Sequence, residues 1–285
     1  MSSKRIRGKT TRILVLNPNS SQPMTDGMRA AINDPDLDLS YSTEIHTYTA
    51  PPAAPRSIND AADIARSTEV VLADLQSEDR DPGERPTAYD GVLIACYSVH
   101  PLVRELRGSR RAVTGIFEAS VLTALSLLPA PGSLSTSSSS PDSDEQQQQW
   151  GIVTTGKFWE EHLADGVQAF LGTSSSPTLD PSSRFAGVES TGLNASDFHN
   201  GVSPEVIRQK LKEATKRLLK GGRTTVVVMG CAGMAGLEEI IRSAAAEEVG
   251  ERFAYDELHV LDGVRAGITQ LEMMIKQQRL RGRRG

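Results

Sequence analysis

The sequence predicts an α/β fold built as two pseudo-symmetric lobes, each a parallel sheet flanked by helices, with the active site in the cleft between them. Three observations carry that expectation. Short apolar runs alternate with amphipathic helical patterns along all 285 residues, the order expected of parallel sheets with crossover helices. Two of the runs, Gly91-Val92-Leu93-Ile94-Ala95 and Thr224-Thr225-Val226-Val227-Val228-Met229-Gly230, are nearly continuous in apolar character, as strands buried on both faces are. Each of these two runs ends in the only cysteine of its half, Cys96 and Cys231, and the interval from Asn17 to Cys96 nearly equals that from Thr155 to Cys231. The pattern is an internal repeat.

The elements follow in order. Arg12-Ile13-Leu14-Val15-Leu16 is a strand that stops at Asn17-Pro18-Asn19, since Pro18 offers no N–H and keeps Asn17 out of helical space. Ser20 or Ser21 caps a helix holding Met24, Met28 and Ile32. An extended piece over 42–48, a helix over 58–75, the strand 91–95 and a further strand 112–117 complete the first half, and a helix over 118–128 follows. Residues 133–149 are Ser, Asp and Gln without periodicity, which reads as a disordered insertion, and 173–183 as a smaller one. The second half opens with the strand 150–155 and a helix through Trp159, Leu163 and Phe170. After the strand 224–230 come a helix over 235–248, a strand over 257–261 and a helix over 264–278. The lobes are expected to comprise 11–118 plus 266–285, and 119–265, with 1–10 a flexible basic N-terminus.

Composition narrows the function classes. Thirty-one Lys and Arg against 36 Asp and Glu give a net charge of −5, so no global basic field exists to hold nucleic acid. Two cysteines are too few for a disulfide framework or a structural zinc cluster, and the five histidines show no metal-ligand spacing. No apolar stretch reaches the ~18–20 residues of a membrane span, and the opening MSSKRIRGKTTR lacks an apolar signal core. The expectation is a cytoplasmic protein that acts on a small molecule, without metal, nucleic acid or membrane partner. The cations near both ends, such as Lys4, Arg5 and Arg7, then Arg281, Arg283 and Arg284, read as solubilising termini.

Ligands of parallel sheets bind outside the carboxyl ends of the strands. Two similar lobes that face each other would therefore set Cys96 and Cys231 across one cleft. A single cysteine after a strand is usually core, but two at the same address in both repeats ask for a joint role. Racemisation beside a carbonyl is such a role. One thiolate removes a proton from one face of the carbon, and a thiol on the other face returns one. The thiol pKa, about 8.5 when unperturbed, allows either residue to serve in either role. Each cysteine is followed by small residues, and helix-start amides there are expected to hold one as thiolate and to stabilise the developing enolate.

The segments LVLNPNSSQPMT, DGVLIACYSVHP, VTGIFEASVLTAL, WGIVTTGKFWE, VVVMGCAGMAGLEE and LDGVRAGI together resemble the Asp/Glu/hydantoin racemase superfamily, with the hydantoin and allantoin racemase branch and its fungal relatives as the nearest group. The resemblance implies cofactor-independent, PLP-free two-base proton transfer between two α/β lobes, in a homo-oligomer. Cys96 and Cys231 match the catalytic cysteines. Asn17 matches a pocket residue at the end of the first strand, and Thr154 and Thr155 its counterparts in the second lobe. Tyr97, Ser98, Ala232 and Gly233 would offer amides to the substrate's carbonyls. The amino-acid branch carries Asn-Thr and Thr-His after its cysteines, where this chain has Tyr97-Ser98 and Ala232-Gly233. That departure favours a neutral ring, allantoin first, over aspartate or glutamate.

Other chemistry stays open at this stage. His100, four residues past Cys96, could form a Cys–His pair for a hydrolase or leave a single-cysteine decarboxylase. A two-lobed sensor that closes on a ligand without chemistry is the non-enzymatic alternative. Gly151-x4-Gly156-Lys157 approaches a phosphate loop but has Phe158 where magnesium needs Ser or Thr.

Overall fold

A computed structural model describes residues 10–33, 37, 43–108, 111–130, 147–172, 184–198 and 201–281. The first half runs β1 (Thr11–Asn17), α1 (Gln22–Ile32), β2 (Thr43–Thr49), α2 (Ala61–Gln76), β3 (Gly91–Ile94), α3 (Leu102–Glu105), β4 (Ala112–Gly115) and α4 (Ile116–Leu127). The second runs β5 (Gln149–Thr154), α5 (Phe158–Leu171), β6 (Phe185–Ser190), α6 (Pro204–Leu219), β7 (Thr224–Gly230), α7 (Glu238–Glu248), β8 (His259–Asp262) and α8 (Gly263–Arg281). The strands form two four-stranded sheets, in the orders β2-β1-β3-β4 and β6-β5-β7-β8. Every pairing in both is parallel. The same order twice is the repeat seen in the sequence, now as topology.

Local chemistry sets the boundaries. Ser21 caps α1 by accepting the Met24 N–H, and Asp60 caps α2 by accepting that of Asp63. The second helix therefore starts at Ala61 rather than near Ile58. Ile116 and Phe117, expected in a strand, are instead the first turn of α4, with Gly115 as the cap residue. Gln149, expected in the insertion, is the first residue of β5, and 133–146 and 173–183 lie outside the described residues, as do 1–9. The helix expected over 235–248 begins only at Glu238, after a 3-10 turn over Ala232–Met234. β6 and α6 were not foreseen; α6 is capped by Ser203, which accepts the Val206 N–H, with a proline in its first turn.

One apolar cluster joins the two halves. It includes Ile13, Val15 and Leu93 from the first sheet and Trp150, Ile152, Val226 and Val228 from the second, with Ile116 and Val121 of α4 and Ile268 and Leu271 of α8. Full burial of each such side chain is worth about 1.5–3 kcal/mol. The helix α8 lies against β3 so closely that a Cβ on Gly267 would stand 2.7 Å from Leu93 Cδ2. Leu93 is itself wholly buried and has nowhere to move. Gly267→Val is therefore expected to destabilise the protein by about 1–3 kcal/mol through overpacking, read as a lower urea midpoint at unchanged slope; an unshifted midpoint would show the contact to be loose.

Candidate active site

The central strands of each sheet end together. Leu16 of β1 lies opposite Ile94 of β3, and Thr154 of β5 opposite Gly230 of β7. Just beyond these ends the chain opens into the loops that carry both cysteines. The first-lobe turn is built by Asn17, whose Oδ1 accepts the Asn19 N–H at 3.2 Å, an Asx turn that Pro18 between them permits. In the second lobe Cys231 caps the 3-10 turn Ala232–Met234, and its Sγ accepts the Gly233 N–H at 3.3 Å. A Cβ on Gly230 would stand 2.6 Å from Ile152 Cγ2 and 3.0 Å from the Val153 carbonyl. Only glycine lets the two strands close there.

These ends meet at one cavity, with an interior of about 30 Å3. Asn19, Met24, Ile58 and residues 95–97 line it from the first half. Thr155, Trp159, Ala195 and residues 230–233 line it from the second. Both cysteines thus face a single space between the sheets. None of the lining residues is Asp, Glu, Lys, Arg or His. A volume of this size holds one or two waters, so a ring enters only if the walls part.

Burial governs the thiols. It pushes the Cys96 pKa up to about 12; the Ser98 hydroxyl pulls it down, while the nearby Cys231 and Glu118 push it further up. Burial likewise raises Cys231 to about 11, against the opposing N–H groups of Gly233 and Met234. The expected thiolate held by helix-start amides is therefore corrected: desolvation of the charged form outweighs one or two hydrogen bonds to a diffuse sulfur. The address differs too. Cys96 is not at a helix start, because 96–98 are bends, 101 is a turn and α3 begins only at Leu102.

A model of the Asp/Glu/hydantoin racemase family matches residues 13–271, a span that takes in both sheets and both cysteine loops. The chain belongs to that family. The uncharacterised protein C1F7.10 of Schizosaccharomyces pombe is 30% identical over 278 residues, 96% of each chain. The hydantoin racemase of Pseudomonas sp. (strain NS671) is 24% identical, over 93% of this chain and 86% of that one. Among solved structures, the allantoin racemase from Klebsiella pneumoniae superposes with a TM-score of 0.68 at 24% identity, covering 94% of this chain and 89% of that one. The two-lobed fold is shared.

Within this racemase fold the sequence-assigned residues separate into two groups. Cys96, Tyr97, Thr155, Cys231, Ala232 and Gly233 line the cavity. Asn17, Ser98 and Thr154 do not stand among the lining residues. Asn17 is fully buried, with its amide donating to Asn19 Oδ1, the Ser21 carbonyl and Thr25 Oγ1 at 3.0–3.2 Å. Thr154 Oγ1 donates to the Gly230 carbonyl at 2.8 Å and so ties β5 to β7. Ser98 sits behind Cys96, its hydroxyl 3.4 Å from Sγ and its N–H donating to the Cys96 carbonyl at 3.0 Å. Asn19, Met24, Ile58, Trp159 and Ala195 were missed. The Asn-Pro-Asn turn was the available signal for Asn19; Met24 and Trp159 follow the helical apolar pattern and read as core.

His100 is taken out of the chemistry. Its Nδ1 accepts the Leu102 N–H at 3.3 Å, so Nε2 carries the proton toward Ser67 Oγ at 3.1 Å. The Ser67 hydroxyl passes its own proton to the Ile64 carbonyl at 2.9 Å. With both ring nitrogens occupied and burial lowering its pKa to about 4, His100 pins the Cys96 loop to α2 and has no nitrogen left to act as a base for Cys96. Among the described residues no group of three or more His, Cys, Asp or Glu could hold a metal ion, and no helix is long and apolar enough to cross a membrane.

The raised thiol pKa values fix a pH dependence. At neutral pH only about one Cys231 in 10^4 is ionised if its pKa is near 11. Iodoacetamide inactivation is expected to be slow at pH 7 and to accelerate about tenfold per pH unit into the alkaline range, since thiolate is the nucleophile. A folded-state pKa raised above the unfolded one also means that stability is lost as pH climbs from the ordinary thiol range through 11–12. Rapid labelling at pH 7, quantified by mass spectrometry of the native protein, would contradict the assignment.

Proposed function

We propose that this chain is a cofactor-independent racemase of a neutral five-membered ring, a hydantoin or ureide with allantoin the leading candidate, working by proton transfer between Cys96 and Cys231. The observation that carries the reading is a cavity that holds both cysteines and no ionised side chain. An amino-acid zwitterion brings a carboxylate and an ammonium that would need charged partners once desolvated, whereas a ring of amide and ureide groups needs only hydrogen bonds. The similarity to the hydantoin racemase of Pseudomonas sp. and the allantoin racemase from Klebsiella pneumoniae agrees with such a substrate. We also read the chain as two lobes, 11–118 plus 266–285 and 119–265, supported by the return of α8 to pack on β3 and β4.

In this reading one cysteine, as thiolate, takes the proton from the ring carbon beside a carbonyl, and the electron pair moves to the carbonyl oxygen. The thiol on the opposite face then protonates carbon, leaving the first cysteine as thiol and the second as thiolate. Cys231 is the first base by preference, because two backbone N–H groups oppose its burial whereas Cys96 has one hydroxyl. The starting thiolate forms as that thiol gives its proton to a water of the cavity, which the arriving ring displaces to solvent.

The test is isotopic. One enantiomer incubated in D2O should lose optical rotation while deuterium appears at the stereocentre, and Cys96→Ala or Cys231→Ala should each abolish inversion. Unchanged rotation and no label across allantoin and a panel of 5-substituted hydantoins would sink the assignment. Inversion that survives loss of either thiol would sink the two-cysteine mechanism alone.

A further inference from the structure

We infer that Asn19 is the side-chain donor that selects and polarises a substrate carbonyl in this cavity, and that Asn17 is the positioning residue that holds it donor-first. The inference rests on the reading above and names the group in this site that meets the oxygen.

The orientation of both amides is fixed by backbone groups that can act in only one sense. Asn19 Oδ1 accepts the Ser21 N–H at 2.9 Å and the Asn17 amide at 3.1 Å. Asn17 Oδ1 in turn accepts the Asn19 N–H at 3.2 Å. A backbone N–H never accepts, so neither amide can be flipped without setting an NH2 against an N–H. The oxygen of Asn19 is thereby turned inward, and its NH2 is the end left for the cavity that this residue lines. That NH2 meets only Met24 Sδ, at 3.2 Å, and a thioether is a weak acceptor. Asn19 is nevertheless 7% exposed. A buried amide with one weak partner is what a ligand oxygen completes.

The donors assigned from sequence make this one necessary. Of the four backbone amides expected to meet the enolate, Ser98 N–H is spent on the Cys96 carbonyl and Gly233 N–H on Cys231 Sγ. Asn19 adds a donor on the first-lobe side, on a turn with no side-chain freedom. It also sorts substrates. An NH2 presented to the pocket attracts carbonyl and enolate oxygens and repels an ammonium, so a ring carbonyl or a ureide oxygen fits and a free amino group does not.

Asn19→Asp keeps the shape and both accepted hydrogen bonds but replaces the donor by an anion. With unchanged circular dichroism and melting temperature, it is expected to lower kcat by about 10^2-fold or more, the loss that follows removal of one oxyanion donor. Asn19→Ser, which keeps a shorter donor, should recover part of kcat. Asn17→Asp is expected to cost kcat more than KM, because it sets a carboxylate against Asn19 Oδ1 and favours the flipped amide. An independent readout needs no turnover: in a 15N-labelled protein, the Asn19 side-chain NH2 resonances should shift on titration with hydantoin itself. Wild-type kcat in Asn19→Asp, or hydantoin binding that leaves those resonances unmoved, would overturn the inference. Should the wild type ignore rings but invert an amino acid, the ring assignment fails by itself. The same Asp and Ser variants on that amino acid then decide for or against Asn19.

Discussion

The packing of α4 and α8 between the two sheets is the constraint on which the site depends. α8 leaves the end of β8 and lies against β3 and β4, while α4 leaves β4 and packs on α8 and β7. Each helix thus starts from one sheet and is buried against the other. Gly267 and Gly263 allow this by bringing α8 within contact of Leu93 and of Ile116. Because the central strands of both sheets contribute to the same apolar cluster, the loops beyond Ile94 and Gly230 open onto one small space. The core thus brings both thiols to the wall of that space.

A second constraint works against the first. Enclosure between the sheets strips water from the thiols and favours their neutral form. The protein answers with short, local donors: the Ser98 hydroxyl on one sulfur and the Gly233 N–H on the other. Around these, polar side chains are tied to neighbouring backbone and side-chain groups rather than left free. Thr154 is spent on Gly230, His100 on Ser67 and Leu102, and Asn17 on three acceptors. The hydrogen bonds of the loops at this site are largely internal, and little polarity is left over for the cavity.

Much of this was legible in the chain. The fold class and the duplicated strand–cysteine ends follow from apolar runs whose period is set by burial on two faces, and the structure repeats the strand order in both halves. β6 was hidden because it lies at a sheet edge and is half-buried along most of its length, which leaves neither a continuous apolar run nor a clean alternation. The start of α4 was misread since Ile116 and Phe117 continue the apolar character of β4, and only the cap at Gly115 separates them. At the site, residue type picked out the cysteines, but not which polar neighbour would face inward. Asn17 and Asn19 are chemically identical, and only the Asx turn places Asn17 behind the cavity and Asn19 in its lining.

Two free thiols that face one space invite oxidation, and the burial that discharges them is also their protection. Peroxide and disulfide exchange attack through the thiolate, and the ladder from sulfenic to sulfonic acid begins there. With both sulfurs held protonated at neutral pH, the site offers oxidants almost no thiolate to react with. The same desolvation that raises the thiol pKa values thus guards both sulfurs against oxidation.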